Sequence, residues 1–454
     1  MTKTMNNRKI SILGAGVSGL ALAELAVSHG AKVFVSDAKE ISKESAQFFS
    51  THGITWEASG NTEKVLDADE IVISSGIPPK NAMIIEAVKR EIPVTGELDF
   101  VSPYLSGSII AVTGSNGKTT TTSMIGYLLE KAGHNVITCG NIGNPVAKAA
   151  GKKYDFIVME LSSFQLYWAK SFICDVAIVC NLAPDHIDWH GSYENYVAAK
   201  ANIIKSLSYG GAAIYQKRDE ADLHIAEDRI SLPMSWDVCR KDQNGIYMDK
   251  ESSSAWLNNE GCSSCGKLFD FSSVKLLGSH NLENTAMAIT ALSLFDVEVK
   301  PESIESYVPP KHRCAYAGEV KGIKFVDDSK GTNVAATLTA MSSLPGSKVI
   351  ILGGQGKGED YAPLAVGAAK YTKYAVVIGS EKDKIASALS LAGYNSFIKV
   401  DNMDEAVETA YLNASEGDTV LLSPACTSWD MYPNYGARGD HFVKAAKKII
   451  ERES

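Results

Sequence analysis

Two glycine-rich segments carry most of the chemistry that can be read from this chain. The first in importance is Val112-Thr113-Gly114-Ser115-Asn116-Gly117-Lys118-Thr119-Thr120, between an apolar run and a helix-forming stretch. Backbone amides at such glycines wrap phosphate oxygens, a lysine reaches the outer phosphates, and a threonine hydroxyl suits Mg²⁺. Val112 stands where the common phosphate loop starts with glycine, so the generic pattern is incomplete. The strand–loop–helix context still predicts phosphate binding by Gly114, Ser115, Asn116, Gly117, Lys118, Thr119 and Thr120. The second segment, Gly14-x-Gly16-x-x-Gly19, also joins a strand to a helix, and Asp37 ends the next strand. This is the dinucleotide fingerprint, with a diphosphate on a helix N-terminus and a ribose hydroxyl on the acid. A nicotinamide cofactor satisfies it, and so does another nucleotide such as a uridine diphosphate. A bare strand–helix turn does too, so the segment alone leaves all three open.

Three further residues gain meaning beside a phosphate loop. Glu160 ends an apolar strand, so its carboxylate emerges at the carboxyl edge of a sheet, where α/β ligands bind. With Thr119 it forms an oxygen-donor pair for Mg²⁺. His186 follows a strand that ends near Asn181, and alone it reads as a hydrogen-bonded loop histidine. Lys200 falls on a helix spanning 193–207, where a lysine is ordinarily a solvated surface charge.

Three α/β blocks are expected to position these groups. Residues 1–102 alternate strands at 9–13, 32–36 and 70–75 with helices, including one at 83–90. That alternation predicts a Rossmann-like parallel sheet with helices on both faces. Residues 103–310 restart with strands at 108–113, 156–159 and 176–180, a central block like a P-loop ATPase. Its stretch 216–273 is polar and irregular, with short antiparallel strands expected. A helix is expected over 282–295. Residues 311–454 carry strands at 323–326, 349–352, 374–378 and 419–422, a second Rossmann-like α/β block. Pro103 and the pair Pro309-Pro310 mark the boundaries. Ligands are expected in the crevices between blocks.

Composition limits the function classes. The 454 residues suit about three domains. With 44 basic and 53 acidic residues the formal charge is −9, a poor footprint for a nucleic-acid binder. No apolar run approaches the roughly 18 residues of a membrane span, and the N-terminus does not read as a signal peptide. A cytoplasmic protein with no membrane insertion is expected. The eight cysteines are sparse and read as reduced core thiols. Cys262-Ser263-Ser264-Cys265 lacks a second pair and a nearby histidine, so it does not read as a metal site.

The phosphate loop resembles that of the Mur ligase family, typically T-G-[ST]-N-G-K-T-T. The resemblance continues through Glu160-Leu161-Ser162-Ser163-Phe164-Gln165-Leu166, Asn181-Leu182-Ala183-Pro184-Asp185-His186 and Gly278-Ser279-His280-Asn281-Leu282-Glu283-Asn284. It extends to His312-Arg313-Cys314, Asp328-Ser329-Lys330-Gly331-Thr332-Asn333 and Ser423-Pro424-Ala425-Cys426-Thr427-Ser428. Together, in order, these are far more specific than either glycine loop. Within the family the chain is most similar to the branch that adds D-glutamate. The resemblance implies an ATP-dependent ligase joining D-glutamate to UDP-N-acetylmuramoyl-L-alanine through an acyl phosphate. It implies that the first glycine loop holds UDP through Gly16, Val17, Ser18, Asp37, Ser75 and Gly76, with Asn141 on the muramoyl part. It places Asn281 near adenine, Arg313 on ATP phosphate and Asp328 on ATP ribose, with Lys330 supporting phosphate or Asp328. It assigns Thr332, Lys357, Ser428 and Tyr435 to D-glutamate. It implies two Mg²⁺ ions, His186 at the second, and a carbamylated Lys200 as a metal ligand beside Thr119 and Glu160. A monomer is expected. The alternatives are a sibling ligase with another amino acid, an NAD-dependent oxidoreductase, and a non-enzymatic nucleotide-binding protein. The Asn-Pro-Arg signature common in the diaminopimelate-adding sibling is absent.

Overall fold

The computed structural model describes residues 5–240, 242–259 and 266–454. The Cys262/Cys265 pair lies outside them. Three sheets follow one another along the chain. The first orders its strands Thr55–Glu57, Lys32–Ser36, Lys9–Leu13, Glu70–Ile73, Val94–Gly96, all parallel. Alternate residues face opposite layers, as the period of a strand demands. Ile10, Ile12, Val33, Val35 and Val72 enter one core, while Leu13, Ile71 and Ile73 enter the other.

Among the described residues the central sheet has nine strands. Ser108–Thr113 sits between Phe156–Glu160 and Cys174–Val179, with Val136–Gly140 beyond the former and Leu207–Gln216 beyond the latter. The expectation for 216–273 needs correction in part. Gly245–Asp249, Ser254–Asn258 and Gly266–Asp270 are antiparallel neighbours, but Ile230–Ser235 pairs parallel with Leu207–Gln216. The helix Glu220–Leu223 lies in the connection that returns the chain in the same sense. The strand Leu207–Gln216 escaped the sequence pattern because Gly210-Gly211 interrupts it where the register shifts.

The third sheet orders Ala315–Val320, Ile323–Asp327, Thr419–Leu422, Lys348–Gly353, Tyr374–Ile378, Phe397–Lys399, parallel except for the first pair. Lys348–Gly353 is buried along its whole length, as a parallel strand covered by helices on both faces must be. One apolar cluster joins the first unit to the second, running from Ile12, Leu22 and Leu98 to Val146, Met159 and Tyr196. No described helix is long and apolar enough to cross a membrane.

Candidate active site

The phosphate loop connects Ser108–Thr113 to the helix Lys118–Lys131. Gly117 caps that helix at φ 84, and a Cβ there would collide with the Asn284 side chain. No other residue fits both demands. Asn181, at the end of the neighbouring strand, braces the loop. Its backbone carbonyl accepts from Ser115 N at 2.8 Å, and its side chain bonds Asn116 N and O at 2.9 and 3.0 Å. Lys118 Nζ bends back to donate to the carbonyls of Gly114 and Ser115 at 2.8 and 3.0 Å. Thr119 Oγ1 donates to Glu160 Oε2 at 2.6 Å, and Asn141 Nδ2 donates to Glu160 Oε1 at 2.8 Å. Glu160 is 1% exposed, and each of its carboxylate oxygens is held by a neighbouring side chain.

Lys200 projects from the helix Tyr193–Lys205, which Ser192 caps by accepting from Asn195 N. Tyr196 and Lys200 lie one turn apart on the buried face. Lys200 is only 2% exposed, so it is no surface lysine. Its Nζ donates to Gly114 O at 2.8 Å and lies 4.8 Å from the Tyr196 ring centroid. Burial and the nearby Lys118 push the amine well below its usual range. His186 starts the short turn Ile187–His190 with φ 53. Burial outweighs Asp185 and lowers the imidazole to about 4, so it is neutral near pH 7, the form that binds metals.

Asp185 was not singled out by sequence, yet it is a hub. Lys357 Nζ donates to its Oδ1, and Asn333 Nδ2 donates to its Oδ2 at 3.2 Å. Both partners belong to the third unit. Asn333 also pairs with the Asn116 amide, at 3.4 Å in each direction, and caps the helix Val334–Ser343. The phosphate loop, the His186 segment and the third unit therefore meet at one point.

Beside that point lies a cleft of about 390 Å³, lined by Asn116, Gly117, Thr120, Asn281, Arg313 and Asp328, with Lys330 at its wall. Expected nucleotide residues from two units thus face one space. Asn281 does not cap its helix, which spans Ser279–Ser293 and is preceded by Gly278. Its Nδ2 instead donates to Leu277 O at 2.7 Å. Burial lifts the Asp328 carboxyl to about 7, where Ser423 Oγ and Cys314 N donate to it at 2.7 and 3.2 Å. Burial, together with Arg313 and Lys118, lowers Lys330 to about 8, and its ammonium sits 4.2 Å from the Tyr435 ring centroid.

The sequence matches known domains and proteins along nearly its whole length. Residues 9–83 match the MurD N-terminal domain, 112–292 the Mur ligase middle domain, and 312–426 the Mur ligase glutamate ligase domain. The UDP-N-acetylmuramoylalanine–D-glutamate ligase of Pseudothermotoga lettingae is 34% identical over 447 residues, covering 97% of this chain and 98% of its own. That of Streptococcus mutans is 36% identical over 455 residues, 98% of each chain. The chain belongs to the Mur ligase family. Among solved structures, MurF ligase from Thermotoga maritima in complex with ADP superposes with a TM-score of 0.59 at 16% identity, covering 100% of both chains. UDP-N-acetylmuramate–alanine ligase MurC from Thermotoga maritima gives 0.58 at 18% identity, covering 98% of this chain and 100% of its own. At such identities the two solved structures carry the fold alone.

In this Mur ligase the first glycine turn and residues Ser74–Gly76 follow adjacent strands at the point where strand order reverses, the usual ligand crevice. Gly19 is dictated by packing, since a Cβ there would collide with Gly14 O. Gly16, Val17, Ser75 and Gly76 are exposed at this edge. Asp37 is already engaged: its Oδ2 accepts from Ala15 N at 2.6 Å and its Oδ1 from Lys39 N at 2.8 Å. It therefore braces the glycine turn. Trp189 Nε1 reaches across to donate to Gly76 O at 3.0 Å. Of the four residues expected at D-glutamate, Lys357 is at the seam on Asp185. Thr332 precedes Asn333 there, Tyr435 stacks with Lys330, and buried Ser428 accepts through its carbonyl from Met431 N and Tyr432 N. Arg438, also missed by sequence, is buried behind them. It donates to Ser329 Oγ and O, Cys426 O and Thr427 O at 2.8–3.1 Å. Its place four residues before Phe442, on the apolar stripe of the helix Tyr435–Glu453, is the one sequence signal that it faces inward.

Proposed function

We propose that this Mur ligase joins D-glutamate to UDP-N-acetylmuramoyl-L-alanine, converting ATP to ADP and phosphate, in peptidoglycan precursor synthesis. The reading is carried by one observation: the Thr119–Glu160 phosphate loop opens onto a cleft shared with Arg313, Asp328 and Lys330, in a chain matching D-glutamate ligases over nearly its full length. We further propose three units, residues 1–102 for the UDP precursor, 103–310 for ATP and 311–454 for the amino acid. The work is cytoplasmic.

A carboxylate is a poor acceptor for an amine. Transfer of the γ-phosphoryl group to the alanine carboxylate gives an acyl phosphate and ADP. The D-glutamate amine then attacks the carbonyl carbon, and a tetrahedral intermediate collapses to the amide with loss of phosphate. Lys118 offsets charge on the transferring phosphoryl group, and Gly114–Thr120 amides with the helix N-terminus hold the phosphates. Arg313 and Lys330 complete the cationic wall of the nucleotide cleft. Lys357, Thr332, Ser428 and Tyr435 are the proposed D-glutamate residues, a cation and hydroxyl donors suited to its two carboxylates. Little covalent participation by side chains is needed, so positioning dominates.

Mg²⁺, when bound, neutralises phosphate charge. The hard oxygen pair Thr119 and Glu160 fits the first ion. Among the described residues no three His, Cys, Asp or Glu side chains converge on one point. A second ion beside neutral His186 therefore needs another oxygen donor. A carbamate on Lys200 would provide it, and burial shifts the Lys200 amine toward the uncharged form that reacts with CO₂.

The deciding assay is phosphate release from ATP by the purified chain. Release should require both the UDP precursor and D-glutamate. Equal release with L-glutamate, or none with D-glutamate, defeats the assignment.

A further inference from the structure

Glu97 stands outside every role assigned so far. It opens the short helix Glu97–Val101, after the last strand of the first sheet, and its side chain is buried where the first and central sheets meet. Its Oε2 accepts from Gln165 Nε2 at 3.2 Å and from Ser75 Oγ at 3.4 Å. Ser75 Oγ lies 3.5 Å from Ser18 Oγ. On the other side, Gln165 Oε1 accepts from both N and Oγ of Ser162 at 3.0 Å. Ser162 stands two residues beyond Glu160. A continuous polar chain thus runs from the first glycine turn to the strand end that presents Glu160.

Packing alone does not favour an acid here. Glu97 is 2% exposed, and its Oε1 makes no close hydrogen bond, the Val146 backbone amide being the one further polar group beside the carboxyl. Burying such a group is costly, and an apolar side chain of similar size would avoid the cost. Burial pushes the carboxyl above its usual range, against the hydrogen bonds from Gln165 and Ser75 that favour the charged form.

We propose that Glu97 is a positioning residue that orients Ser18 and Ser75 toward the UDP precursor and ties them, through Gln165 and Ser162, to the Glu160 strand end. The inference rests on the UDP-precursor reading given above. Glutamine keeps the shape and one acceptor oxygen for Gln165 and Ser75. Alanine removes the link.

The test titrates UDP calorimetrically into the full-length wild type, Glu97→Ala and Glu97→Gln, and measures KM for the UDP precursor and for ATP. A wild type that binds no UDP defeats the functional reading itself, whatever Glu97 does. With wild-type binding in hand, Glu97→Ala should weaken UDP by about tenfold, the loss of roughly one good hydrogen bond. The precursor KM should rise by a similar factor while the ATP KM stays within about twofold. Glu97→Gln should restore both to within about threefold. Unchanged UDP affinity in Glu97→Ala, a parallel rise in both KM values, or failure of glutamine to restore binding overturns the proposal. If Glu97→Ala does not fold, Glu97→Asp carries the same comparison, because it keeps the acid but shortens its reach.

Discussion

Lys357 of the third unit is bonded to Asp185 of the central unit, with side chains only 8% and 9% exposed. Asp185 directly precedes His186, so this pair links the third unit to the proposed metal side of the phosphate-loop cleft. The Lys357 charge holds the Asp185 carboxyl down at about 2, against an ordinary 3.8, despite burial.

A depressed carboxyl stabilises the folded state above its unfolded value and loses that contribution as pH falls through its folded value. The Asp185 contribution should be complete above 3.8 and vanish toward about 2. It amounts to about 2 kcal/mol. Urea midpoints for wild type and Asp185→Asn should differ at pH 5 and converge near pH 2. A difference that does not change with pH would show that the ionisation of Asp185 contributes nothing to stability.

Lys118→Ala should cut kcat at least about a hundredfold, as loss of one preorganised charge at a phosphoryl-transfer centre does. The fold should survive, because Lys118 bonds only loop carbonyls. Circular dichroism and phosphate release on the same sample check both halves. Wild-type release would remove Lys118 from the centre.

Lys200→Ala should lose about a hundredfold or more in activity, partly restored by added short carboxylates that replace a carbamate oxygen. In the wild type, ¹³C NMR after equilibration with labelled CO₂ should show a carbamate resonance that Lys200→Ala lacks. A wild type without that resonance refutes the modification.

Arg438→Ala should destabilise the chain by about 3 kcal/mol, since it strands the buried carbonyls of Ser329 and Cys426 and removes further bonds to Ser329 Oγ and Thr427 O. Arg438→Lys should recover little, because an ammonium cannot reproduce the planar fork. Thermal midpoints decide this. The D-glutamate KM should rise more than the ATP KM, because Arg438 holds the Ser329 and Cys426–Thr427 segments together.

Much of the candidate site was legible in sequence for a local reason. A phosphate loop is contiguous: glycine conformation, lysine reach and helix N-terminus all lie within a few residues, so Gly114–Thr120 announces itself. Glu160 was legible because an apolar strand must end at a sheet edge. Alternating hydrophobic strands and helices likewise determined three α/β sheets, though the glycines at 210 and 211 hid one strand and the return sense of Ile230–Ser235 was not visible.

What sequence determined by itself was therefore each local element and the chemistry class that its motifs allow. Tertiary structure decided which charges meet. Lys200 changed from a helical lysine to a buried amine because the Tyr196 face of its helix packs under Gly114. Asp185, Asn333 and Lys357 became one cluster because two units close on each other. Glu97 and Arg438 gained roles only through burial. Burial and long-range contact depend on how distant segments fill space together, and no spacing along the chain encodes that.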